Sequence, residues 1–370
     1  MRSSDAAGPG RARAPAARRH PPLAVWLPAA FLVGVMALGL VLTALDPAAV
    51  RLNPWGGLRD GTWAARYQLA YEDGLGIRGL AVSTWALIRY RLFGEGSPEV
   101  LVGRDGWLFS AEEFRPPDDL SLPLSTALDR IRATRDALEG RGIELAIALV
   151  PTKALVYEDR LGRYSLPSEV AGLYEAALER IQALGIPAPD LLTPLRNASR
   201  DRDLYLRTDT HWSPAGARLA ARLLARTLRP ILDERHSSRT EFTTRSTGTR
   251  EVSGDLLKFV ALGPWARLGP RPDSVEIVTT EAAGDVGDDL FEELDIPVTL
   301  VGTSYSAGGL WNFEGALKDL LEADVLNVAA EGKGPFAPMA AYLASPAIED
   351  PRPDVVLWEI PVRYLAPESR

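Results

Sequence analysis

Hydrophobic and polar positions fall into three regimes along the chain. From Leu23 to Leu45 the run "LAVWLPAAFLVGVMALGLVLTAL" carries no charge over 23 residues. As a helix rising about 1.5 Å per residue it spans the roughly 30 Å of bilayer hydrocarbon, so it predicts one transmembrane helix, with Pro28 a possible kink near its start. Residues 46–95 form a connector, turn-like at "DPAAVRLNPWGG" and then mixing aromatics and arginines at helical spacing; Trp55, Trp63, Trp85 and Tyr90 suit either a membrane interface or packing on a domain. From residue 96 to 370, apolar runs alternate with amphipathic ones. Helical stretches over 121–142, 168–184 and "SPAGARLAARLLARTLRPIL" alternate with the β-type runs "IELAIALVP", "IPVTLVG", "DVLNVA" and "DVVLWEI". That rhythm predicts an α/β domain with a mostly parallel sheet covered on both faces. In the third helix Ser213 reads as N-cap, Pro214 as the first helical residue, and Leu219, Leu223, Leu224 and Leu228 as one apolar face. Residues 238–280, rich in Thr, Ser and Gly, read as an insertion or edge hairpin.

Charge orients the first regime. The chain carries −8 overall, but residues 1–22 hold five arginines against Asp5, a tail of +4 that leaves −12 beyond Leu45. Arg11, Arg13, Arg18 and Arg19 hold the tail in the cytoplasm, so everything after Asp46 is expected outside it, in a single-pass protein of the inner membrane. The apolar run exceeds the 7–15 residues of a secretory signal and reads as an uncleaved anchor. The acidic body argues against nucleic acid as a partner. The absence of cysteine removes disulfides, thiolate metal sites and a cysteine nucleophile.

Candidate chemistry gathers where strands of such a sheet end. Ser304 follows Gly302 at the end of "VTLVGTS", at a strand-turn-helix junction that offers exposure and free amides. A serine needs a base titrating near neutrality, and of the three histidines only His211 has a structured setting: His20 is in the tail and His236 in a polar stretch after a helix. Asp209, two residues before His211, can fold onto the imidazole Nδ1 and leave Nε2 for the serine; an extended pair at this spacing points both side chains the same way. The alternative is an ordinary turn at Ser304 and a helix-capping role for the Asp209 loop. One structured histidine makes a poor metal site. Neither G-x-G-x-x-G after a strand nor a Walker-type lysine occurs, so no cofactor is expected.

Six segments in order, "LVGRDGWLF" (101–109), "VPTKALVY" (150–157), "DTHWSPAGA" (209–217), "LVGTSYSAGGLWNFEGAL" (300–317), "DVLNVAAEGKGP" (324–335) and "WEIPVRYL" (358–365), resemble the alginate O-acetyltransferase AlgJ/AlgX family. The resemblance implies an SGNH-hydrolase-like three-layer domain in which Asp-x-His precedes the serine. Ser304 would be the nucleophile, His211 the general base and acid, and Asp209 the carboxylate that orients it. It further implies an acetyl-serine intermediate, transfer to a hydroxyl of an exported polysaccharide, and a multi-pass membrane-bound O-acyltransferase as acetyl donor. Thr303, Tyr305 and Asn327 are candidates for lining the site or an oxyanion hole, and Lys153 and Arg363 for holding an acidic sugar. Each has a structural alternative: a turn cap for Asn327, an ion pair for the two cations. Glycines at 308 and 309 stand where bulkier residues are expected in relatives. A carbohydrate acetylesterase and a non-catalytic polysaccharide-binding subunit remain as alternative functions of the same fold.

Overall fold

The computed structural model describes residues 26–45, 78–115, 122–283 and 295–366. The chain divides into two compact units, Met1–Ala81 and Val82–Arg370. In the first, Leu27–Leu45 is a 19-residue helix without a charged residue. Pro28 lies in its first turn, where a missing N–H costs nothing, so the proline starts this helix and does not kink it. Among the described residues no helix is long and apolar enough to cross a membrane. Residues 23–25 and most of the connector, 46–77, lie outside the described residues.

In the second unit the four expected apolar runs form one parallel sheet. Its spatial order is Glu144–Val150, Val355–Pro361, Val298–Val301, Val325–Asn327. Nearly every residue of the three longer stretches is buried, which is why they read as continuous apolar runs rather than alternating ones. The outer edge of Glu144–Val150 is engaged by the Pro187 carbonyl, which accepts from the Ile147 N–H at 2.9 Å.

Helices Leu124–Glu139, Pro214–Arg235 and Phe336–Leu343 pack on these strands. Leu124–Glu139 buries Leu124, Ala127, Leu128, Ile131 and Leu138, the spacing of one helical face. Over 168–184 Gly172 interrupts the expected helix, giving Ser168–Ala171 and Leu173–Ala183. In Pro214–Arg235 the Ser213 hydroxyl accepts from the Gly216 N–H as expected of an N-cap, but the buried stripe differs from the leucine face. It runs through Ala217, Ala220, Ala221, Leu224, Leu228 and Leu232, with Leu219 and Leu223 at its rim. Small residues there let the helix approach its neighbours closely: a Cβ on Gly216 would lie 2.0 Å from the Leu204 carbonyl oxygen.

The polar stretch is a long antiparallel hairpin, Phe242–Val252 with Asp273–Ala282, joined by a segment of 3-10 turns. That segment carries a satellite core of Leu256, Val260 and Leu262. Its position decides the geometry of the site.

Candidate active site

Ser304 sits where an open parallel sheet presents its ligands, at the carboxyl end of Val298–Val301. The chain leaves that strand through Gly302 and Thr303 and enters the short helix Ser304–Ala307. Gly302 is required for closeness rather than for a sharp turn: a Cβ there would stand 2.5 Å from Glu359 Oε2. Glu359 lies on the neighbouring strand with no exposed surface. Its carboxylate accepts the Thr303 N–H at 2.7 Å, the Thr303 hydroxyl at 3.0 Å and the Ser306 hydroxyl at 3.1 Å. Burial pushes this carboxyl up to about 7, against the pull of those hydrogen bonds and of Arg363. The turn that carries Ser304 is therefore bolted to the sheet from below.

His211 and Asp209 arrive on the loop before helix Pro214–Arg235. His211 Nε2 is 2.8 Å from Ser304 Oγ, and Nδ1 is 2.6 Å from Asp209 Oδ1. The three groups thus form a hydrogen-bonded line. Asp209 does not meet the imidazole as an extended i, i+2 pair. Its Oδ1 also accepts the backbone N–H of His211 at 2.9 Å, so a tight Asx turn folds the carboxylate under the ring. Burial pushes the Asp209 carboxyl up, yet the hydrogen bonds from His211 and from the Asp255 amide outweigh it and hold the group below its ordinary value. On the imidazole's other side Trp311 stacks at 4.5 Å and 14°. Trp311 lies flat there because residue 308 is glycine; a Cβ at 308 would fall 2.0 Å from its ring, whereas one at Gly309 would meet nothing.

The loop from Arg207 to His211 is braced at almost every peptide group. The Asp273 carboxylate accepts the N–H groups of Arg207 and Thr208, and the Asp255 carboxylate accepts that of Thr210. Carbonyls of Arg207 and Asp209 take hydrogen bonds from Lys153 Nζ at 2.9 Å each, that of Thr208 from the Leu256 amide, and that of Thr210 from the Tyr305 hydroxyl. Gly254 presses so close that a Cβ would lie 2.2 Å from the Thr208 oxygen. Asp255 and Asp273, both from the hairpin region, escaped the sequence reading.

These placements reassign several expected roles. Lys153 is fully buried, donating also to Leu108 at 2.6 Å, and so cannot hold a sugar; it ties the loop backbone together. Burial lowers its ammonium to about 8, countered by Glu113, Asp273 and Asp209. Thr303 and Tyr305 are buried supports with no surface to offer a substrate. Asn327 caps a turn: its amide donates to the Ser306 carbonyl and to Glu314, and its oxygen accepts the Ala329 N–H. Arg363 lies half-buried over the Tyr305 ring, its guanidinium carbon 5.7 Å from the centroid. Asp209, His211 and Asp255 could bring ligand atoms within 4.8 Å of one another. The carboxylates of Asp209 and Asp255 already accept N–H and O–H donors from His211, Thr210 and the Asp255 backbone, however, which suits a hydrogen-bond clamp better than a cation. Among the described residues the Ser304 amide has no protein acceptor and remains for a ligand oxygen.

A parallel sheet ending in a Ser-His-Asp line defines a protein of the serine acyl-transfer and hydrolase class. Residues 100–362 match the family model described as SGNH hydrolase-like domain, acetyltransferase AlgX, and the chain belongs to that family. It is 41% identical over 321 residues to the probable alginate O-acetylase AlgJ of Pseudomonas aeruginosa, covering 83% of this chain and 81% of that protein. To the alginate biosynthesis protein AlgX of Pseudomonas putida it is 34% identical over 269 residues, covering 68% of this chain but only 54% of AlgX. Among solved structures, the O-acetyltransferase domain of Pseudomonas putida AlgJ superposes with a TM-score of 0.64 at 39% identity, over 72% of this chain and 92% of that one.

Proposed function

We propose that the chain is a polysaccharide O-acetyltransferase working through an acetyl-serine at Ser304. His211 Nε2 takes the Ser304 proton as Oγ attacks the acetyl carbonyl, and returns it to the departing donor oxygen. An acceptor hydroxyl then gives its proton to Nε2 and attacks the acetyl-enzyme; the acyl–Oγ bond breaks and Nε2 returns the proton to Ser304 Oγ. Asp209 stays ionised throughout and steadies the imidazolium through Nδ1. The amide of Ser304 is placed to receive developing charge on the carbonyl oxygen. The observation that carries the reading is the pair of contacts at 2.8 and 2.6 Å through one imidazole. Ser304→Ala should abolish both acetyl transfer to glycan and hydrolysis of p-nitrophenyl acetate; turnover retained in either assay would refute it. Acetate release that ignores an added glycan acceptor would point to an esterase instead.

The relatives are named for alginate, which makes an exported, carboxylate-bearing glycan the favoured acceptor. The anchor, the periplasmic placement and a membrane-bound O-acyltransferase as acetyl donor belong to the same proposal. What supports them is the charge-free helix Leu27–Leu45 behind a basic tail. An alkaline phosphatase fusion after residue 95 should be active; an inactive fusion would reverse the orientation.

A further inference from the structure

Trp85 and Tyr90 take opposite sides of one helical segment. Arg78–Ile88 is an α-helix that runs on as a π-helical stretch, Arg89–Phe93. One side is packed: Ala86, Leu87 and Tyr90 lie on the satellite core of Leu256, Val260 and Leu262, and Trp265 Nε1 donates to the Thr84 hydroxyl at 3.1 Å. The other side carries Val82, Trp85, Ile88 and Leu92, which recur every three or four residues, with Phe93 at its end. Trp85 is 58% exposed and Leu92 74%. Among the described residues of Val82–Arg370, Leu268 is the one other large apolar side chain left exposed, so bare apolar surface in this unit is concentrated on a single helical face. A helix apolar on both sides is a buried one, and a contiguous exposed apolar patch marks a contact surface.

Charge and position say what covers it. Although the chain beyond Leu45 is strongly acidic, residues 78–93 hold three arginines, Arg78, Arg89 and Arg91, and no carboxylate. Arg91 is exposed, and Arg89 reaches Glu95 at 3.6 Å. Tryptophan, phenylalanine and leucine on one face with arginines alongside are the make-up of a helix lying in the plane of a bilayer whose headgroups are anionic. Only 32 residues, 46–77, separate Arg78 from the end of the charge-free helix at Leu45. Fully extended they reach at most about 110 Å, so a chain anchored by that helix keeps this face close to the membrane, where even a weak affinity for lipid is populated.

We propose that the outward face of Val82–Phe93 is a lipid contact, with Trp85, Ile88, Leu92 and Phe93 seated among the headgroups of the anchoring bilayer and the arginines on its anionic phosphates. The inference rests on the anchored reading above and adds to it how the acetyltransferase unit meets the membrane. The core beneath this helix includes the segment whose Asp255 and Leu256 brace the catalytic loop, so the contact fixes the side that the site turns to the bilayer. The test uses the full-length chain, which has no cysteine of its own, in nanodiscs of phosphatidylethanolamine and phosphatidylglycerol. A nitroxide is attached singly through Leu92→Cys, through Glu179→Cys on an exposed helix surface, or through Met36→Cys in the charge-free helix. The label at 92 should be about fivefold less accessible to water-soluble nickel-EDDA than the label at 179 and more accessible to oxygen, a contrast that should weaken about twofold in neutral phosphatidylcholine. Equal nickel-EDDA accessibility at 92 and 179 would put the face in water and overturn the proposal. Protection at 92 from oxygen as well would also overturn it, because it would mean a protein contact, here a second copy of the chain. A contrast that ignores lipid charge would overturn the part given to the arginines. Lipid contact at 36 with a water-exposed 92 would sink this inference alone, whereas a water-exposed 36 would sink the anchored reading and this inference with it. Melting temperatures and hydrolysis of p-nitrophenyl acetate report that the labelled proteins are folded.

Discussion

Glu359 offers a prediction whose sign and size follow from the structure. Its carboxyl, pushed by burial up to about 7, would titrate near its ordinary value of 4.5 in the unfolded chain. Between those pH values the native state keeps a proton that the unfolded state has released. Stability from this group therefore falls as pH rises through the window, and is flat below 4.5 and above 7. A shift of that width corresponds to about 3 kcal/mol. Glu359→Gln keeps the shape and removes the titration. Urea denaturation of both proteins at pH 5 and pH 8 should show the stability difference moving in favour of glutamine by about 2.5 kcal/mol on going to pH 8, since pH 5 already lies inside the window, other groups cancelling in the comparison. A difference that is the same at both pH values would show that the carboxyl titrates normally and that the hydrogen bonds from Thr303 and Ser306 already offset its burial. The ionised form has a compensating use, because only a carboxylate can accept all three donors of the Ser304 turn. Glu359→Gln should accordingly lower turnover at pH 8 even though the stability difference has moved in its favour there.

Other perturbations probe the bracing. Asp209→Asn should reduce acetyl transfer by on the order of 10³–10⁴ while lowering the denaturation midpoint at pH 7 only modestly, since it loses the ionised carboxylate's contribution but the loop keeps its other supports; a loss of stability large enough to unfold the protein would make His211 a structural residue. Because the Asp209 carboxyl is held low in the folded state, its stabilisation is present above its unfolded value and is lost as pH falls through the folded one, so the same variant should flatten acid unfolding below about pH 4. Lys153→Met removes the donor shared by the carbonyls of Leu108, Arg207 and Asp209, of which Arg207 keeps the Leu108 N–H, and should cost about 3 kcal/mol in chemical denaturation. Gly308→Ala should displace Trp311 and lower activity, whereas Gly309→Ala should change stability by under about 0.5 kcal/mol.

Much of this molecule is legible in its sequence, and the illegible parts share a cause. The four sheet strands announce themselves because buried parallel strands are apolar on both faces, and Asp209, His211 and Ser304 because few residue types can do their chemistry. Asp255, Asp273 and Glu359 act through hydrogen bonds to residues 46, 65 and 56 positions away, and no local spacing encodes such pairings. Glu359 did leave a trace: a carboxylate inside "VVLWEIP", a run otherwise fit only for burial, has to find donors there. Lys153 misled for a related reason. A lysine past a strand end suggests surface, yet "VPTKALVY" turns back inward and its ammonium becomes the joint between three backbone carbonyls.

The bracing also accounts for how the site works with its acid and base before its nucleophile in the chain. Ser304 and His211 come from segments 93 residues apart, and in the proposed mechanism a mismatch of even 1 Å would cost on the order of 10² in rate. Each half is held by its own partners: Ser304 by the sheet through Glu359, and the Asp209–His211 loop by Asp255 and Asp273 of the hairpin region and by Lys153. Two hydrogen bonds join the halves near the reacting atoms, Tyr305 to the Thr210 carbonyl at 2.7 Å and Ser304 to His211, beside the ring contacts of His211 with Trp311 and Tyr305. The Tyr305 hydroxyl thus helps set the serine-imidazole distance. Tyr305→Phe should retain the fold and the labelling of Ser304 by a fluorophosphonate, but slow that labelling and acetyl transfer by the same factor. Loss of transfer without any slowing of labelling would place Tyr305 on the acceptor side and remove it from the alignment of the triad.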